Sequence, residues 1–95
     1  EDHLMAVSIH LPAILAPLAD GARVVDLDGP TVGAAVQALT DRYPGLAPRL
    51  IDERGEQYPF VAIYLNDDDI RLVGGFDATV QDGDELSIVP AVAGG

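Results

Sequence analysis

The chain has 95 residues, enough for one domain, and 48% apolar side chains supply a packed core. It contains no cysteine, which excludes disulfide frameworks, zinc knuckles, thiolate clusters and cysteine nucleophiles. Sixteen acids against five bases, all arginine, give a formal charge of -11, so phosphate backbones are repelled and a basic protein surface is the complementary partner.

No apolar run approaches the roughly 20 residues needed to cross a bilayer. The start, Glu1-Asp2-His3-Leu4-Met5, has no basic segment of the secretory kind, so a cytoplasmic protein with no membrane or nucleic-acid partner is expected. Met5 is one candidate native start, with residues 1–4 left from cloning; an authentic acidic N-terminus is the other.

Residues 6–11 alternate, with Val7, Ile9 and Leu11 on one face and Ser8 and His10 on the other, as in a half-buried strand. Pro12 and Pro17 limit regular structure, and Asp20-Gly21 is a turn signal before a return strand over 23–27. Thr31 is a plausible helix N-cap, and Val32, Ala35, Val36, Leu39 and Tyr43 form one apolar stripe over 31–43. Pro44-Gly45 stops that helix. Residues 46–57 read as polar and irregular, anchored by Leu46, Leu50 and Ile51.

A strand dense in β-formers follows over 60–65, then turn chemistry at Asn66-Asp67-Asp68-Asp69 and a short return strand over 70–73. After Asp82-Gly83 the last strand covers 85–89, with Leu86 and Ile88 inward and Ser87 and Val89 outward. One helix covers one face of such a sheet, which makes a two-layer α+β domain. With the first and last strands side by side at the centre, this is a β-grasp, ubiquitin-like arrangement of about five mixed strands.

A conventional active site is not apparent. His3 belongs to the acidic start, and His10 points away from the core on the first strand. Ser8 and Ser87 both lie within strands, outside any nucleophile elbow. The run Asp67-Asp68-Asp69 lacks the ligand spacing and closing glutamate of a calcium loop, so no metal site is assigned. The chain is therefore expected to be no enzyme and to bind no cofactor of its own.

The C-terminus is where function concentrates. Val92, Ala93, Gly94 and Gly95 follow a core strand and Pro90. Two glycines without Cβ atoms thread a narrow channel, and the six residues from Pro90 reach roughly 20 Å when extended. The Gly95 carboxylate can thus enter a buried site while the body stays outside. A carboxylate is a poor electrophile; adenylation by a partner using ATP makes it a mixed anhydride that a sulfur nucleophile attacks, giving a thiocarboxylate.

The helix entry Pro30-Thr31-Val32, the exit Tyr43-Pro44-Gly45-Leu46, the hairpin Leu65-Asn66-Asp67 and Asp82-Gly83-Asp84-Glu85-Leu86 leading to the Pro-Ala-Val-Ala-Gly-Gly tail are similar, over residues 6–95, to the ThiS/MoaD family of ubiquitin-like sulfur carriers. The segment 64–71 and the tail most resemble the carrier of the actinobacterial cysteine-biosynthesis route. The resemblance implies an E1-like adenylyltransferase and sulfurtransferase as activator, a downstream synthase as sulfur acceptor, and a metalloprotease as a further partner. It also implies that Val89, with Ile70 from the neighbouring hairpin, forms an exposed docking patch bordered by His10. Thiamin carriers typically lack much of the 44–57 insertion, and the molybdopterin carrier has a bulkier residue where this chain has Val89. Two alternatives share the activation step: a ubiquitin-like modifier joined to target lysines, and the small subunit of molybdopterin synthase. The expected organisation is an N-terminal extension over 1–5, the β-grasp domain over 6–90 and a flexible tail over 91–95.

Overall fold

The computed structural model describes residues 6–59 and 61–90. Five strands form one mixed sheet: β1 (Ala6–His10), β2 (Val24–Asp28), β3 (Val61–Leu65), β4 (Asp68–Asp69) and β5 (Glu85–Pro90), in the spatial order β2-β1-β5-β3-β4. β5 runs parallel to β1 and antiparallel to β3, so the first and last strands lie side by side inside the sheet, as expected of a β-grasp arrangement.

The helix α1 (Val32–Arg42) forms because its start and stop are both satisfied. Thr31 Oγ1 accepts the Ala34 N–H at 3.1 Å, taking up a donor that the first turn leaves unpaired. At the other end the Tyr43 N–H donates to the Leu39 carbonyl at 2.9 Å, and Pro44 ends the helix. The buried stripe of α1 is Val32, Ala35, Val36 and Leu39, and it covers one face of the sheet. Val7, Ile9, Val61, Ile63, Leu86 and Ile88 meet it from the strands, all at 5% exposure or less. Full burial of each such large side chain contributes about 1.5–3 kcal/mol, and this layer is the main source of stability.

The segment after α1 is more regular than its composition suggests. Pro44 and Pro48 sit in the first turns of a 3-10 turn (Pro44–Leu46) and of α2 (Ala47–Leu50), where a missing N–H costs nothing. Leu46 and Leu50, four residues apart, are then fully buried. Beyond Ile51 the Asp52 carboxylate accepts the N–H groups of Arg54 at 2.8 Å and Glu56 at 3.0 Å, which turns the chain back toward β3.

The return strand predicted over 70–73 is a 3-10 turn instead, and the strand lies within the predicted turn. Asn66, at φ 55, makes the turn with Asp67, and β4 is only Asp68 and Asp69. Asp69 Oδ1 then accepts the Arg71 N–H at 2.9 Å and caps a 3-10 turn over Ile70–Leu72, so the extended pairing stops there. Phe60, the predicted first residue of β3, lies outside the described residues, as do 1–5 and 91–95.

Ile88→Ala and Val36→Ala remove packing from the two sides of this layer. We expect losses of about 1–4 kcal/mol, larger for isoleucine, from the lost transfer energy and the cavity left behind. Urea unfolding should show a lower midpoint with an unchanged slope; an unchanged midpoint would contradict the placement of these side chains.

Candidate functional site

β5, the strand that precedes the tail, is an inner strand of the sheet, and its start is held in place by the chain around it. Asn66 N donates to the Glu85 carbonyl at 2.7 Å, Glu85 N donates to Asn66 Oδ1 at 3.1 Å, and Asn66 Nδ2 donates to Asp84 Oδ1 at 3.3 Å. Asp84 Oδ2 accepts the Gln81 N–H at 2.8 Å, and Gly83, at φ 92, donates to the Ala6 carbonyl at 2.9 Å. The turn before β5 is thereby tied to both flanking strands. Six residues later β5 ends at Pro90, paired with Val61 of β3.

No described element covers the second face of the sheet. Register places Val24, His10, Ser87, Tyr64 and Asp69 in one row across all five strands, with Ala62 and Val89 paired in the next row toward the tail. Val89 is 44% exposed and Val24 49%. His10 and Val89 therefore share this face, as the sequence predicts. The expectation for Ile70 is corrected: it is fully buried, because Asp69 already takes the open-face position opposite Tyr64 and the residue after it turns to the helix-covered side. The apolar residues that this segment exposes are Leu72 and Val73. Val24, Ala62 and Tyr64 were missed as members of the face, although the alternation in β2 and β3 carries the signal.

The polar groups of the face have distinct bonding. Ser8 Oγ donates to Asp26 Oδ1 at 2.9 Å across β1 and β2. His10 Nε2 is enclosed without a hydrogen bond; Glu85 Oε1 is 3.6 Å away, close enough for an ionic contact only with a protonated imidazole. Arg71 is held by Asp69 through Nε at 3.1 Å and Nη2 at 2.7 Å. These bonds from Arg71, the side-chain ones first, keep the Asp69 carboxyl below the usual carboxylate range. Asp52 is lowered too, chiefly by the Glu56 N–H.

A groove of about 610 Å³ lies off this face, lined by Arg54, Tyr58, Arg71 and Phe76 among others. Its guanidinium groups already face carboxylates, Arg54 those of Asp52 and Glu56, and Arg71 that of Asp69. No helix among the described residues is long and apolar enough to cross a membrane. Val92, Ala93, Gly94 and Gly95, the predicted tail residues, lie outside the described residues.

A five-stranded β-grasp sheet with one covering helix and one open face defines a small ubiquitin-like protein. The profile of the ThiS family matches residues 9–95, and the chain belongs to that family. It is 42% identical over 93 residues to the sulfur carrier protein CysO of Mycobacterium tuberculosis, covering 96% of this chain and all of that one. A chain in the crystal structure of the Amycolatopsis orientalis BexX/CysO complex is 39% identical, with a TM-score of 0.86 over 94% of this chain and 99% of that one. Small archaeal modifier protein 3 of Haloferax volcanii is 40% identical over 68 residues, 72% of this chain and 73% of that one. The protein is thus a ThiS-type sulfur carrier, a carrier and not a catalyst.

The Asp69–Arg71 pair generates a pH prediction. A carboxyl whose folded pKa is lowered stabilises fully above the ordinary carboxylate range and stops doing so as pH falls through the lowered value. Asp69→Asn should lower Tm at neutral pH, with the gap to the parent closing on acidification through that range. A gap that stays constant in thermal melts would contradict the pairing.

Proposed function

We propose that the working group is the Gly95 carboxylate. An E1-like partner transfers AMP from ATP to it, releasing pyrophosphate, and a sulfur nucleophile then attacks the acyl carbon. The C–S bond forms as the C–O bond to AMP breaks, leaving a thiocarboxylate on Gly95. ATP is the partner's substrate, and the chain holds no cofactor of its own. The thiocarboxylate sulfur next adds to an electron-poor C=C bond of an unsaturated intermediate held by a biosynthetic enzyme, the new C–S bond replacing the π bond and the adjacent carbon taking up a proton, in the making of cysteine or another sulfur-containing metabolite. Hydrolysis of the acyl bond, work suited to a metalloprotease, returns the carboxylate. ATP-dependent chemistry of this kind belongs in the cytoplasm.

The observation that carries this reading is the course of β5. It is a central strand, paired with β1 over Glu85 to Ser87 and with β3 from Leu86 to Pro90, and the chain continues from its end into residues 91–95. Gly94 and Gly95 suit passage through a narrow channel, with Ala93 and Val92 as the rest of the threaded tail. The uncovered face beside the root of the tail serves as the docking surface, with Val89 at its apolar end and His10 in the adjoining row. Complex formation by the CysO relative with BexX supports a protein acceptor.

The similarity to small archaeal modifier protein 3 favours one second reading, attachment to lysines of other proteins. The chain has no lysine and builds no chains on itself.

Incubation with ATP, the purified activating enzyme and a sulfide source should replace one oxygen of the Gly95 carboxylate by sulfur in the intact mass spectrum. Failure of that replacement with an activator that releases pyrophosphate would overturn the reading, and stable high-mass conjugates would favour the second one. Deleting Gly94 and Gly95 should abolish the mass change yet leave the urea midpoint unmoved, because a terminal tail makes few core contacts. Val89→Asp should slow pyrophosphate release about tenfold, the effect of about 1.4 kcal/mol lost at an interface.

A further inference from the structure

The open face has two halves of different chemistry. Val89, Ala62, Val24 and Tyr64 occupy the two rows nearest the tail. The next two rows away from the tail carry Asp26, Glu85 and Asp28, with Ser8 between the first two. The rows follow the strand rise, so three steps of two residues separate Val89 from Asp28 by about 20 Å.

No arginine offsets those acids on the strands. Arg23 lies before β2 and gives its Nε to the Leu11 carbonyl at 3.0 Å. Arg42 is on α1, with its guanidinium 5.9 Å from the Tyr43 ring centre. Arg49 is on α2, Arg54 in the loop before β3, and Arg71 is spent on Asp69. With no lysine in the chain, the far half of the face presents one sign of charge.

We propose that this face docks a partner whose surface is apolar opposite Val89 and Val24 and basic, rich in arginine or lysine, about 20 Å further along. The proposal rests on the docking reading above and adds the partner's chemistry and a division of labour. The apolar half loses water on contact and sets how long the complex lasts. The acidic half acts through the long-range field and sets how fast the partner arrives and in which orientation. It also rejects acidic surfaces, since like charges held across an interface repel. Orientation matters for a tail that must enter a channel: two separated anchor points fix rotation about the tail axis, whereas one apolar patch does not.

The test measures association and dissociation rates of the chain with its purified adenylating enzyme at several ionic strengths. The variant D26N/D28N/E85Q keeps the size and one acceptor oxygen of each of the three side chains while removing the charge. It should associate about tenfold more slowly at low salt, lose most of its salt dependence, and dissociate at nearly the parent rate. Val89→Ser should do the reverse, with faster dissociation and an unchanged salt slope. A control, D41N/E53Q/E56Q, makes the same charge change off the open face and should leave association near the parent rate. If the control slows association as much as the face variant, net charge and not this surface is responsible, and the proposal is overturned. If only Val89→Ser has an effect, the proposal fails while docking at the tail end stands. If neither Val89→Ser nor the face variant changes any rate, the docking reading itself fails.

Discussion

The pairing of β5 on both sides is the constraint on which the rest of the molecule depends. Its backbone is bonded to β1 in parallel and to β3 in antiparallel register, so no half of it can shift without breaking a ladder. Leu86 and Ile88 lock that register, because a slip of one residue would turn both into solvent. The Asn66, Asp84 and Glu85 bonds hold the strand at its start. The position at which β5 ends, at Pro90, is thus a property of the whole core.

The covering helix α1 explains the rest of the surface. It covers one face, and the other keeps the outward half of every alternating strand. That half holds small, apolar and acidic side chains together, from Val89 at the tail end to Asp28 at the far end. A carrier of this design needs no pocket of its own.

Much of this was legible in the sequence because the elements carry clean periods. Val7, Ile9 and Leu11 announce a strand, Val32 to Tyr43 a helix, and Leu86 and Ile88 the final strand; all fold as their spacing dictates. Ile70 misled because the strand starts earlier than the turn chemistry of 66–69 suggests. β4 is Asp68 and Asp69, Asp69 takes the outward position opposite Tyr64, and the residue after it, expected outside, turns inside. The segment 44–50 hid its helical turns behind Pro44 and Pro48, although the four-residue spacing of Leu46 and Leu50 is the signal of a helix face. Paired geometry between distant segments, such as Asn66 with Asp84 and Glu85, leaves no local trace at all.

Sulfur transfer through the terminal acyl group is the central claim, and chemistry at one atom tests it most directly. A chain made by semisynthesis with Gly95 as its primary amide keeps every side chain and strand but offers no carboxylate to adenylate. Single-turnover transfer of labelled sulfur through this chain, with the activating and accepting enzymes present, is predicted to be absent while its circular dichroism matches the parent. Transfer at the parent rate would contradict the account.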